Sequence, residues 1–236
     1  MREVNLERLS THRISLSHGH FLVYQAYLDD LFDCFKKYAS KKLLDIGCGN
    51  KPFQQILNPL VEEYVGCDIV QSSENKVDIL CDATVIPLPD ESFDTVVSTQ
   101  LIEHIADYQL MINEAYRILK HGGFFIISGP MFWPLHEEPH DYFRFTKYGF
   151  HHVLTKAGFT IAEEKANGGK WALAGQAFIM ALYPEINTLK SFKWKLFRGL
   201  YKLMGGIKTA NQFFSALDKK YTDKTNTMNY VFVAKK

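Results

Sequence analysis

A glycine pair and three aspartates are spaced along the first third of the chain as a ligand cradle would need them. Gly47-Cys48-Gly49 closes the apolar run Leu43–Ile46, and Asp45, Asp68 and Asp82 fall in "KLLDIG", "YVGCD" and "DILCD". Glycines at such a place supply unusual φ angles and let the backbone approach a ligand with no Cβ in the way. Carboxylates beside them accept hydrogen bonds from ligand hydroxyls, charge-assisted contacts worth about 1.5–3 kcal/mol each. A second polar group sits downstream in "GPMFWPLHEEPHDYFRFTKYGF": His136, Glu137, Glu138, His140, Asp141, Tyr142 and Arg144, among aromatics. A histidine or carboxylate there suits removal of a proton from an acceptor, worth roughly 10²–10⁴-fold in rate.

The elements that must position these residues are readable from periodicity. "KLLDIG", "EYVGCDIV", "VDILCD", "FDTVVSTQ" and "FFIISGP" are short apolar strands. Between and around them lie a helix with Phe21, Tyr24, Leu28, Leu31 and Phe35 on one face, a helix from Pro52, and the helix "YQLMINEAYRILK". The last of these is expected to turn Leu110, Ala115, Ile118 and Leu119 inward and to stop at Gly122-Gly123. A helix "TKYGFHHVLTKAG", a strand "FTIAEEKA", a helical stretch from about residue 170 to 221 and a last strand "NYVFVAKK" follow. Short apolar strands alternating with helices are the pattern of a parallel sheet covered on both faces, an α/β, Rossmann-like, doubly wound fold. The expected organisation is one domain over 1–236: an N-terminal helical segment (1–41), a cofactor-binding core (42–167), a helical insertion (168–227) and a final strand (228–236).

In doubly wound sheets a ligand sits outside the carboxyl ends of the strands at the switch point, where the Gly47–Gly49 loop falls. A nicotinamide or flavin dinucleotide needs G-x-G-x-x-G, and Pro52 stands at the third glycine position, removing an N–H that a pyrophosphate would use. The G-x-x-x-x-G-K-[ST] phosphate loop is absent as well. A ligand without phosphate fits better. S-adenosylmethionine offers a ribose, an adenine, an amino acid end and a sulfonium, and Asp68 lies roughly twenty residues beyond the glycines, where an acidic group can take both ribose hydroxyls.

The blocks "LLDIGCGNKPF", "YVGCDI", "DILCDATVIPLPDESFDTVVSTQLIEHI" and "EAYRILKHGGFFIISGP" together resemble the class I S-adenosylmethionine-dependent methyltransferases of the type-11 small-molecule group, over about Lys42 to Gly129. The resemblance implies a seven-stranded sheet whose last strand is antiparallel, with "NYVFVAKK" as that strand. It implies that Asp45, Gly47, Cys48 and Gly49 face the methionine part and that Asp68 holds the ribose with Ile69 against adenine. By the same resemblance Asp82 and Ala83 meet the adenine edge, and Thr99 with Gln100 line the cofactor. The family pattern often carries a third glycine where Lys51 sits here, so the path of this loop is expected to differ.

In the downstream loop, His140 beside Asp141 is the favoured general base, His136 the alternative, and Arg144 either holds an acidic substrate or pairs with Glu137 or Glu138. His136 and His140 as a zinc pair are disfavoured, because Pro139 interrupts the helix that such spacing needs and no third ligand is evident, so no metal is expected. Phe143 and Phe145 read as core. The "HDYFRFT" segment resembles group members associated with glycan biosynthesis, which points to O-methylation of a sugar or glycan precursor. The rivals are C-methylation of a membrane quinone or lipid, and a non-catalytic domain that binds cofactor as a partner protein. Ser98-Thr99-Gln100-Leu101 stands where enzymes that methylate exocyclic or amide nitrogens carry an Asn/Asp-Pro-Pro-aromatic stretch, so that chemistry is disfavoured.

Composition sets the outer limits. The chain has 236 residues, 47% hydrophobic and 22% charged, which suits a buried core. A net charge of +1 leaves no global field to attract nucleic acid, and no nucleic-acid partner is expected. The segment "WALAGQAFIMALY" stops at Pro184, too short to span a bilayer. Cys34, Cys48, Cys67 and Cys81 form no C-x-x-C pair and read as reduced thiols of a cytoplasmic protein. "SFKWKLFRGLYKLMGGI" is a basic amphipathic helix, with Phe192, Leu196, Leu200, Leu203 and Ile207 on one face and Lys195, Arg198 and Lys202 on the other. Packing on the domain, a lid, a homodimer face and peripheral contact of 190–208 with the inner face of a membrane are all open to it.

Overall fold

The computed structural model describes residues 14–188, 195, 199, 201, 203 and 205–236. Most of the basic helix expected over 190–208 lies outside the described residues. Two compact units are formed, one from residues 29–165 with 229–236, the other from 14–28 with the described part of 166–228.

The first unit is built on a seven-stranded sheet. In chain order it contains β1 (Lys42–Ile46), β2 (Glu63–Asp68), β3 (Ile79–Leu80), β4 (Phe93–Thr99), β5 (Leu119–Pro130), β6 (Thr160–Asn167) and β7 (Asn229–Lys235), arranged in the order β3-β2-β1-β4-β5-β7-β6. The pairs β1–β2, β1–β4, β2–β3 and β4–β5 are parallel, whereas β5 and β7 are antiparallel, with Phe124 opposite Lys235 and Pro130 opposite Asn229. This is the expected Rossmann-like sheet with a reversed last strand. Leu43, Leu44, Ile46, Val96, Val97, Ile126, Ile127, Val231 and Val233 are fully buried in the central strands, because a parallel sheet covered on both faces needs apolar side chains in both directions.

Helices α1 (Phe21–Tyr38), α2 (Gln54–Leu57), α3 (Tyr108–Ile118) and α4 (Lys147–Lys156) accompany these strands. Three details depart from the sequence reading. The helix from Pro52 is a single turn, since Lys51 enters it from a left-handed conformation and Pro59 follows Asn58 at its end. Leu110 is half exposed; α3 buries Met111, Ile112, Ala115 and Ile118 instead, a stripe from which Leu110 is rotated away. And Gly122-Gly123 does not end that helix. Leu119 already turns extended, and the glycines lie inside β5, where the pairing jumps from Phe93–Leu119 to Thr95–Phe124. Gly122 has φ 82°, and a Cβ on Gly123 would stand 2.8 Å from the Asp94 carbonyl, so this irregularity requires glycine.

The second unit contains α5 (Lys170–Thr188) and α6 (Gly206–Lys220). Helix α5 runs on through Pro184, within the helical stretch expected from about residue 170. Its first turn is held by Asp218 of α6, whose carboxylate accepts from the N–H groups of Gly169 (2.9 Å), Trp171 (3.1 Å) and Ala172 (3.0 Å), an anion on a helix N-terminus. No described helix is long and apolar enough to cross a membrane.

Candidate functional site

Because β1 to β5 are parallel, their carboxyl ends share one edge, and the segments leaving them converge there. A cavity of about 510 Å³ opens at this edge. One wall comes from the ends of β1 to β3: Gly47, Cys67, Asp68, Ile69, Cys81, Asp82 and Ala83. A second is Leu101 with the residues from His104 to Asp107, after β4. The third is Glu137, Glu138, His140 and Tyr142, from the loop after β5. A volume of this order holds a nucleoside-sized ligand.

The glycine loop is shaped by contacts on both of its sides. Gly47 has φ 76°, and a Cβ there would stand 2.7 Å from Leu101. Its neighbour Gly49, at φ 49°, donates its N–H to Asp68 Oδ2 at 3.1 Å, which ties the loop to the end of β2. Asp68 also accepts from the N–H of Ile69 at 2.7 Å, and Ile69 leaves its side chain more than half exposed at the cavity. Asp82 accepts through Oδ1 from both the N–H and the hydroxyl of Thr84 (2.8 and 2.7 Å), so it shapes its own turn while lining the cavity.

Five of the residues expected at the cofactor do not line this cavity. Asp45 is buried, its Oδ2 accepting from Tyr64 Oη at 2.5 Å, and burial raises its carboxyl to about 7. Cys48 is buried against Gly66, where a Cβ would collide with its sulfur. Gly49 supports the loop from behind. Thr99 ends β4 and Gln100, at φ 51°, follows it; Gln100 donates to Ser128 Oγ from both its backbone N–H and its side chain at 3.2 Å. Gly47, Asp68, Ile69, Asp82 and Ala83 are on the wall, as is His140.

The loop after β5 is pinned to the short 3₁₀ turn Ile102–His104. Tyr142 and Phe143 donate their N–H groups to the Glu103 carbonyl (2.9 and 3.3 Å), and His104 Nδ1 lies 2.7 Å from the His140 carbonyl. Phe143 and Phe145 meet the Tyr108 ring edge-on at 4.9 and 5.2 Å, as packing rather than as a stacking face. His140 Nδ1 is 3.0 Å from Tyr142 Oη.

Asp141 does not serve His140. Its carboxylate is 1% exposed and accepts from Arg144 Nη1 (2.6 Å) and Nη2 (2.8 Å) and from the His136 N–H (2.9 Å), and the guanidinium holds it well below the usual carboxylate range. Arg144 therefore pairs with Asp141, and with neither Glu137 nor Glu138 as the sequence suggested. His136 lies ring to ring with His104, centroids 4.7 Å apart, and one ligating atom from each of Glu103, His104 and His136 falls within 4.8 Å of the others. The histidine pair weighed from sequence was His136 with His140, and Glu103 was not weighed as a ligand. Its only sequence signal was an acid–histidine dipeptide directly after β4.

Residues 44–127 match the family described as a methyltransferase domain. Over 100 residues the chain is 32% identical to a protein of Mycolicibacterium smegmatis named a probable S-adenosylmethionine-dependent methyltransferase, covering 39% of each sequence. Over 105 residues it is 35% identical to 2-methyl-6-phytyl-1,4-hydroquinone methyltransferase 1 of Oryza sativa subsp. japonica, covering 38% of this chain and 28% of that one. The chain thus spans about two fifths or less of the length of these curated relatives. A solved S-adenosylmethionine-dependent methyltransferase from Archaeoglobus fulgidus superposes with a TM-score of 0.55, 18% identical, over 90% of this chain and 92% of the other, a likeness of fold. The segment that builds the cavity floor is similar in sequence to methyltransferase domains, and the sheet around it is similar in fold to a methyltransferase.

Proposed function

We propose that this chain is an S-adenosylmethionine-dependent methyltransferase acting on a hydroxyl of a small acceptor of the sugar class. The observation that carries the reading is the pairing of Asp68 with the glycine loop: a carboxylate at the end of β2, bonded to Gly49 N–H, facing a cavity that has room for a nucleoside. Asp68 is the residue for the ribose hydroxyls, Ile69 for one adenine face, and Asp82 with Ala83 for the adenine edge. Gly47 and Gly49, backed by Cys48 and Asp45, shape the floor under the amino acid end, with Thr99 and Gln100 behind them. When bound, the cofactor supplies an electrophilic sulfonium methyl.

The protein's part is alignment, for which effective molarities reach about 10⁵–10⁸ M. Glu137, His140 and Tyr142 form the wall on the acceptor side, and His140, oriented by Tyr142 Oη, is the group placed to accept a hydroxyl proton. Asp141 with Arg144 holds the loop that carries them, and His136 is tied to that anchor by its N–H. The polar character of this wall supports a hydroxyl acceptor, as does the resemblance of "HDYFRFT" to glycan-associated enzymes.

A second reading, C-methylation of a quinone or lipid ring, is favoured by the name of the rice relative and by Phe132 and Leu135, both exposed in the same loop. Activity that requires detergent or vesicles would select it. The deciding experiment is calorimetric titration with S-adenosylhomocysteine, with NAD in parallel. Micromolar binding of the former alone, lost in Asp68→Ala, is expected, and sugar acceptors are then screened with labelled cofactor. Binding of neither compound overturns the reading.

A further inference from the structure

We propose that Glu103, His104 and His136 form a binding site for a divalent transition-metal ion of the zinc class, beside the cavity. The site is assembled from two segments, the 3₁₀ turn after β4 and the loop after β5, and it does not depend on the methyl-transfer reading.

The carboxylate provides the first argument. Glu103 is 1% exposed, and its Oε2 has no hydrogen-bond partner among the described residues. A buried carboxylate ordinarily finds a donor or a cation. The nearby guanidinium does not supply one: all five N–H groups of Arg144 are engaged, with the Trp133, Pro134 and Phe143 carbonyls and both oxygens of Asp141. His104 Nε2, 3.9 Å from Glu103 Oε1, is beyond hydrogen-bond reach.

The histidines provide the second argument, and it is independent. A ring nitrogen that coordinates a metal must present a lone pair, and the other ring nitrogen then donates its proton to a carbonyl or carboxylate. The acceptors beside both rings select that tautomer of the neutral imidazole. His104 Nδ1 faces the His140 carbonyl at 2.7 Å, which can only accept. His136 Nδ1 faces the Pro134 carbonyl at 3.2 Å and Asp141 Oδ2 at 3.3 Å, and Asp141 is kept an acceptor by its two bonds from Arg144. In the neutral form of each ring, Nε2 is the nitrogen that carries the lone pair.

Two imidazoles and one carboxylate select the ion. Imidazole suits zinc, iron, nickel and copper, whereas magnesium and calcium take oxygen donors. Three protein donors also leave a tetrahedral ion one position for an oxygen ligand from outside the protein, and His104 forms part of the cavity wall. Asp141 and the Pro134 and His140 carbonyls then act as the outer layer that orients the ligands.

The test uses the purified full chain, stripped with a chelator and titrated with Co²⁺ while visible absorption is recorded, followed by displacement with Zn²⁺. One ion per chain is expected, with ligand-field bands that Zn²⁺ abolishes. His136→Ala and Glu103→Gln should each weaken binding by at least about tenfold, since even outer-layer changes at metal sites cost roughly 10–100-fold. His140→Ala should leave metal affinity unchanged. His136 is partly exposed, so its truncation tests the site without threatening the core. Circular dichroism melts on every variant separate lost ligation from lost folding. Absence of stoichiometric binding, or binding undiminished in a folded His136→Ala protein, overturns the proposal whatever S-adenosylhomocysteine does.

Discussion

Lys51 lies in the left-handed region at φ 53° and still brings its Nζ to 2.5 Å from Asp78 Oδ2. The ammonium also sits 4.8 Å over the Tyr64 ring, whose hydroxyl in turn donates to Asp45. Asp78 completes the set by accepting from the Gly66 N–H at 2.7 Å. One side chain therefore braces the back of the glycine loop at the position where the family pattern often carries glycine. It does so at a backbone cost of about 1–2 kcal/mol.

Replacing that residue separates the two effects. Lys51→Ala keeps the unfavourable φ and loses the ion pair between buried Lys51 and half-exposed Asp78, so it should destabilise the fold by about 1–3 kcal/mol. Lys51→Gly loses the same pair and relieves the backbone, so it should cost less. Urea unfolding of the two variants measures the difference, and equal losses would mean that the φ value carries no strain.

Asp45 makes a pH prediction whose sign is opposite to that of an ordinary surface aspartate. Burial raises its folded pKa from 3.8 to about 7, so the native state binds the extra proton. Stability from this group is full below about pH 4 and is lost as pH rises towards 7, by at most about 4 kcal/mol. Asp45→Asn has no such proton to lose. The stability of the variant relative to the parent should rise between pH 4 and 7, read from paired thermal melts.

Asp141 behaves in the reverse manner. Its folded pKa is depressed by Arg144, so its contribution is present above the ordinary aspartate value of 3.8 and is lost as pH falls below it. Removing the partner is the harsher change. Arg144→Ala leaves a carboxylate that is 1% exposed without its cation, a loss of up to about 3–5 kcal/mol. Arg144→Lys restores charge without the two-pronged geometry and should recover only part of it.

Cys81 is the thiol expected to react first. It is partly exposed in the cavity wall, and the hydrogen bond from Cys67 lowers its pKa, whereas Cys34, Cys48 and Cys67 are buried and raised. Iodoacetamide followed by peptide mass spectrometry should label Cys81 ahead of the others. Saturating S-adenosylhomocysteine should slow that labelling several-fold. Labelling unaffected by the ligand would place the ligand elsewhere.

What the amino-acid order determined by itself is the type and succession of the elements, because local periodicity reports which faces are buried. It also determined that Gly47, Asp68 and Asp82 end up together. Each lies at or just beyond the carboxyl end of a strand, and parallel strands bring those ends to one edge. Tertiary structure alone decided the rest. The phase of α3, which exposes Leu110, depends on the sheet it covers, and the Gly122-Gly123 irregularity on pairing with β4. The neighbours of the loop after β5 were the least legible. Side chains adjacent in sequence, such as His140 and Asp141, point in different directions once Glu103 O holds the Tyr142 and Phe143 N–H groups. That docking of two distant segments brought Glu103, His104 and His136 together, a relation that no spacing within either segment encodes.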